Sequence, residues 1–209
     1  MKWSVGIDPG FRESGVVLCH EEAGIGGGPP EFVLDEWVTF SCPSGSDEDL
    51  TRAVSLASSV VYAIQDFIVR YEIDELDVAI ELPVYKHNAA TYTKQIRLLE
   101  EIESGLFFTV CGEVDSMFLT EVYPTTSKAL LTGNARADKG EMVARFEELN
   151  GKIPTKKDHT KHTVADAYAH SLSTWLENTK AQRIHLTNLS AAVVKETGRN
   201  VCLLSGKRA

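Results

Sequence analysis

Three apolar runs of strand length open the chain, Trp3–Asp8, Gly15–His20 and Phe32–Phe40, each closed by turn-forming residues. This pattern predicts three strands joined as an antiparallel meander. Gly24–Pro30, reading GIGGGPP, is a loop or turn insert between the second and third. After an acidic linker, Ser44–Asp49, the period changes from strand to helix. Ala53, Leu56, Ala57, Val60, Val61, Ile64, Phe67 and Ile68 recur at three- and four-residue spacing, which predicts a helix over Leu50–Tyr71. Strand Leu76–Glu81, helix Asn88–Phe108, strand Met117–Val122 and a short helix Thr126–Leu131 follow, then helices Lys139–Leu149 and Lys161–Glu177. Three strands followed by alternating helices and strands predict an α/β fold, a mixed five-stranded sheet with helices on its faces.

A chain of 209 residues with 43% apolar content is expected to form one domain over residues 1–177 with a sizeable core. Residues 178–209 are expected to be a basic C-terminal extension with no assigned role, carrying a short helix over Leu186–Val194 and a strand over Val201–Leu204. No uninterrupted apolar run of about 18 residues is present, so no membrane span is expected. Met1-Lys2-Trp3 leads straight into a strand and does not resemble a signal peptide. Cys19, Cys42, Cys111 and Cys202 are scattered without a CxxC pair, which suits small buried thiols in a reducing cytoplasm.

The chemistry concentrates in acids at element ends. The first strand ends in Asp8, within GIDPG, and a Pro9-Gly10 turn follows at once. The fourth ends in Glu81, cut by Pro83, and Asp166 lies in the final helical run. Three carboxylates held by rigid elements suit hard divalent cations, which take oxygen ligands, and so suit a magnesium-dependent phosphodiesterase. Each acid also has a structural reading: Asp8 capping its turn, Glu81 in a salt bridge, Asp166 on a solvated helix face.

The five segments GIDPG with Gly15 downstream, IELP around Glu81, HNAATYTKQIRLLEEIESGL at 87–106, YPTTSKALLTGNARADKGEM at 123–142 and HTVADAYAHSL at 162–172 occur in this order. Together they resemble the RuvC family of Holliday junction resolvases, within the ribonuclease H-like fold, over Trp3 to Leu176. The resemblance implies a nuclease using Mg2+, with Mn2+ able to substitute, on branched DNA such as a four-way junction. It implies Asp8 as the central metal ligand, with Glu81 and Asp166 each completing one side. The family commonly adds an acid or a histidine one helical turn before the last Asp. His162 and Thr163 fall there, and His162 is the expected metal ligand or proton carrier, with Asp158 as substitute. It further implies a homodimer through the 88–108 helix, on the surface of Ala89, Tyr92, Ile96, Leu99, Ile102, Leu106 and Phe107.

Charge adds the substrate-facing candidates. Residues 1–150 carry 11 Lys+Arg against 26 Asp+Glu, while residues 151–209 carry 10 against 4. A basic cluster of Lys152, Lys156, Lys157 and Lys161 precedes Asp166 and is a candidate phosphate contact. By resemblance, Lys128 and Lys139 contact DNA and Tyr85, or Val84 beside it, stands near an aromatic wedge at the junction crossover. Lys86, Lys94 and Arg97 flank the helix after Glu81 on the same side. Two other readings remain open: a ribonuclease H-like nuclease acting on RNA, flaps or other branched DNA, and an actin-like kinase. A kinase is disfavoured by the lack of a second Gly-rich phosphate loop.

Overall fold

The computed structural model describes residues 2–23, 31–42, 49–85 and 88–176, and the backbone of 183–184. The Gly24–Pro30 insert, most of the acidic linker, Lys86, and the helix and strand expected in the tail lie outside the described residues. The first three strands, β1 (Trp3–Asp8), β2 (Glu13–Glu22) and β3 (Glu31–Ser41), form the expected meander, antiparallel throughout. Helix α1 (Asp49–Tyr71) leads to β4 (Glu75–Glu81), which lies parallel beside β1, with Ile7 opposite Ile80. Helix α2 (Ala89–Gly105) starts at an N-cap, Asn88, whose side chain accepts from the Thr91 amide, and runs into a π-helical turn, Leu106–Val110. Next come β5 (Ser116–Val122), parallel to β4, and three helices: α3 (Pro124–Thr132), α4 (Lys139–Asn150) and α5 (Asp158–Leu176). The strand order is β3-β2-β1-β4-β5, extended beyond β5 by a two-residue antiparallel strand, β6 (Arg183–Ile184). This sixth strand comes from the extension, beyond the boundary expected at residue 177.

Strand alternation sends the two faces of the sheet into separate cores. Val5, Ile7, Val78 and Ile80 point to the face covered by α1 and α2. Val17 and Cys19 point to the other, where they meet Phe146 of α4 and Val164, Ala165 and Tyr168 of α5. By length and composition α1 is apolar enough to cross a membrane, a feature missed by looking only for an unbroken apolar run. In the fold, the stripe from Ala53 to Ile68 is buried against the sheet and α2. The same packing takes up part of the expected dimer surface, while Ala89, Tyr92 and Ile96 are not buried. Leu99, Ile102, Leu106 and Phe107 are buried, and Leu99, Ile102 and Leu106 belong to the core that α1 and α2 share.

Helix α5 lies unusually close to the sheet. A methyl group on Gly6 would collide with the Ala167 carbonyl oxygen and come 2.6 Å from the Ser171 nitrogen; one on Gly15 would meet the Thr163 Cγ2 at 2.5 Å. Ser4, two residues before Gly6 on the same strand face, exchanges hydrogen bonds with Ser171 and Thr174. Small residues on both sides therefore let α5 rest directly on β1 and β2, and this contact sets where Asp166 stands. The helix begins at Asp158, three residues earlier than its apolar period predicts. An acid in the first turn favours that start by facing the positive end of the helix dipole.

Candidate active site

Asp8 is the last residue of β1 and Glu81 the last of β4, each one step beyond the Ile7–Ile80 pair of the parallel ladder. Alternation turns both away from the α1–α2 core, toward α5. Asp166, on α5, completes the group from above. All three acids are partly buried. Burial is the chief cause that lifts the Asp8 carboxyl well above the ordinary carboxylate range, and the negative charges of Glu81 and Asp166 lift it further, with Lys139 opposing. Asp166 is raised for the same first reason, with His170 and two lysines, Lys139 and Lys128, pulling it back. Asp8 thus feels the charges of Glu81 and Asp166, and Asp166 that of Glu81.

The donor set is three coupled carboxylates with excess negative charge, which fits a hard divalent cation. Among the described residues, no three His, Cys, Asp or Glu side chains are grouped closely enough to hold a metal ion as they stand. Glu81 is already engaged, with its Oε2 3.0 Å from the Nε2 of His170. A cation would therefore have to draw the carboxylates together, displacing any proton held by Asp8 or Asp166, whose affinities are raised. Titrating Mg2+ into weakly buffered protein is expected to release protons, more in mildly acidic than in alkaline solution. Equal release across that range would mean that Asp8 and Asp166 are not being deprotonated by the metal.

Around the acids stand several of the expected partners. Lys139 is the first residue of α4, fixed by a capping box in which the Asp138 side chain accepts from the Glu141 amide and Glu141 from the Asp138 amide. Its charge reaches Asp8, Asp166 and His162. Lys128, on α3, donates from Nζ to the Ala137 carbonyl at 2.8 Å, so it ties α3 to the loop before α4 as well as acting on Asp166. His162 lies one turn before Asp166, its imidazole affinity for a proton lowered by burial and by Lys139 and raised by Asp166 and Asp158. The net effect favours the neutral ring.

No family model matches the sequence and no curated protein matches it. Solved structures do match. The structure of Thermus thermophilus RuvC superposes with a TM-score of 0.62 at 18% identity, covering 87% of this chain and 99% of that one. The same protein in complex with Holliday junction substrate gives 0.63 at 17% identity with the same coverage. The chain has a RuvC-type fold. A yeast mitochondrial Holliday junction resolvase is more distant, with a TM-score of 0.49 at 11% identity over 81% of this chain and 75% of that one.

Within this RuvC-type fold, the other expected contacts spread outward. Tyr85 is exposed on the loop after β4, edge-to-face with Tyr92 at 5.7 Å, and Val84 is exposed too, so neither is a core residue. A cleft of about 170 Å³ beside them is lined by Glu81, Asn88, Thr91, Tyr92 and Gln95. Lys94 is turned toward Asp49, 3.0 Å away, and lies over Phe11; Arg97 is exposed on α2. Lys156 and Lys157 stand exposed on the loop into α5, where Lys156 shares an open groove with Lys152 and Lys161.

Two residues of the site escaped the sequence reading. Glu13, at the start of β2, adds a negative charge near Asp8, and its carboxylate accepts from Thr160 Oγ1 at 2.8 Å. His170 is buried behind Glu81. Its spacing of four residues after Asp166 was the available signal, since that places both on one helix face.

Proposed function

We propose that this protein is a divalent-metal-dependent endonuclease that cuts four-way DNA junctions by paired phosphodiester hydrolysis. The observation that carries this is the mutual repulsion of Asp8, Glu81 and Asp166, carried by three separate elements, with Lys139 and Lys128 as opposing charges. The RuvC-type fold supports the choice of substrate, because RuvC has been captured with a Holliday junction in this same architecture. Asp8, Glu81 and Asp166 would hold Mg2+ or Mn2+, which when bound supplies a Lewis acid and counter-charge for in-line displacement at phosphorus. Lys139 and Lys128 add positive charge where a phosphate must approach three acids. His162 accepts a proton at an imidazole nitrogen as water attacks. Tyr85 and Tyr92 offer ring faces for bases at the crossover.

Incubating the protein with a labelled four-way junction, a flap and an RNA–DNA hybrid, with Mg2+ and with chelator, tests this reading. Preferential cutting of the junction supports it, whereas preference for the hybrid would favour a ribonuclease. Lys139→Ala is expected to weaken junction binding uniformly across sequences and to flatten its salt dependence by about one unit. It is a cleaner probe than Lys128→Ala, which also removes the tie to Ala137. An unchanged salt slope would remove Lys139 from the phosphate contacts.

Paired nicks require two sites related by symmetry, hence a homodimer. Since Leu99 and Ile102 are core residues, we assign the interface to the exposed Val54, Tyr62 and Phe108, which rim the groove between α1 and α2. Phe108→Glu combined with Tyr62→Glu is expected to yield a folded monomer in sedimentation that nicks only one strand. A wild-type monomer at micromolar concentration with junction bound would defeat the paired-nick scheme.

A further inference from the structure

His170 is 1% exposed, and both of its ring nitrogens are engaged. Nε2 lies 3.0 Å from Glu81 Oε2, and Nδ1 lies 2.7 Å from Ser127 Oγ. Ser127, also 1% exposed, lies 3.3 Å from the Ser173 hydroxyl, whose single proton is directed to the Ala169 carbonyl, 2.8 Å from Oγ. An ionised carboxylate can only accept, so the contact with Glu81 calls for the ring proton on Nε2. Nδ1 is then the acceptor, and the Ser127 hydroxyl donates to it. Three elements take part: α3 supplies Ser127, α5 supplies His170, and β4 supplies Glu81.

We infer that His170 is a positioning residue: through the Ser127–His170–Glu81 chain it holds one oxygen of Glu81 and leaves the other for a divalent cation. The inference rests on the reading of Asp8, Glu81 and Asp166 as the cation-holding set. Glutamate has a long, flexible side chain, and repulsion from Asp8 and Asp166 would push its carboxylate outward toward solvent. A donor fixed behind it opposes that movement. The ring cannot turn over without presenting C–H groups to both partners. The same spacing on α5 that puts Asp166 over the site puts His170 one turn further along, so a single helix carries both a ligand and the support for its neighbour.

Two conservative replacements separate this role from simple filling of space. The amide nitrogen of Gln stands about where Nε2 does, while that of Asn stands about where Nδ1 does. His170→Gln therefore keeps a donor for Glu81, and His170→Asn keeps only a partner for Ser127. Calorimetric titration of Mn2+ without DNA is expected to show His170→Asn weakened by about 10–100-fold and His170→Gln within about threefold of wild type. Junction binding in chelator should be unchanged in both, and the Mn2+ concentration for half-maximal cleavage should shift in parallel with affinity. Ser127→Ala, which retains the imidazole, should lose an intermediate amount and serves if His170→Asn does not fold. In the metal-free wild type, 15N shifts should show the ring proton on Nε2. Equal Mn2+ affinities for the Asn and Gln variants, or a ring proton on Nδ1 alone, would overturn the positioning role. A wild type that binds no Mn2+ would instead overturn the cation-holding reading on which it rests.

Discussion

Asp8→Asn is expected to abolish junction cleavage and at the same time to stabilise the metal-free protein. The loss should reach about 10³-fold or more, equivalent to about 4 kcal/mol of barrier, because the central ligand keeps its shape and loses its charge. Glu81→Gln and Asp166→Asn should cost comparable activity. The gain in stability has a separate origin. Burial and two neighbouring acids raise the Asp8 carboxyl well above its usual range in the folded protein. A carboxyl whose folded affinity for protons is raised costs nothing at a pH below its unfolded value of about 3.9. Its cost grows as pH rises through the raised folded value and stays constant above it. Asparagine removes that cost. At neutral pH, in chelator, the variant should therefore melt about 2–8 °C higher, corresponding to about 1–2 kcal/mol, and the difference should vanish below about pH 4. Mg2+ should raise the melting point of the wild type but hardly that of the variant. A variant that melts lower than wild type in chelator would show that Asp8 stabilises the fold and is not held there under repulsion.

Gly6→Ala should be the most damaging replacement outside the acids. The new methyl group would meet the backbone of α5 at Ala167 and Ser171, and backbone cannot rotate aside as a flexible side chain can. Either the protein loses about 3 kcal/mol by overpacking, or α5 lifts from β1 and takes Asp166 with it. Urea denaturation and cleavage should both report the change, with the cleavage defect persisting at temperatures where the variant is fully folded. Normal stability with normal cleavage would mean that α5 need not touch β1 to place Asp166.

The architecture was legible because its signals are local. Alternation in Trp3–Asp8 and Leu76–Glu81 marks strands, and Pro9 and Pro83 mark where those strands stop, so the acids at their ends could be named directly. The apolar period of α1 is likewise strong enough to be read alone. What was not legible depended on which surface meets which. Leu99 and Ile102 look like surplus apolar area until α1 is laid against them. Lys94 and Lys128 look like free cations until Asp49 and the Ala137 carbonyl are found beside them. Glu13 reads as an ordinary charge at a strand start, and His170 as one histidine among small residues, because partners 147 and 89 positions away leave no mark in local pattern. Strand β6 has only two residues, too few for any period to register.

The proposed function stands on whether these carboxylates cut DNA at a crossover. The most direct measurement is nick mapping on a four-way junction labelled on two opposing strands, comparing wild type with Asp8→Asn in Mg2+. Wild type should produce two nicks at symmetric positions flanking the crossover, and Asp8→Asn should bind the junction and produce neither. Wild type that binds the junction and leaves it intact in both Mg2+ and Mn2+, or an Asp8→Asn variant that cuts as fast as wild type, would contradict it.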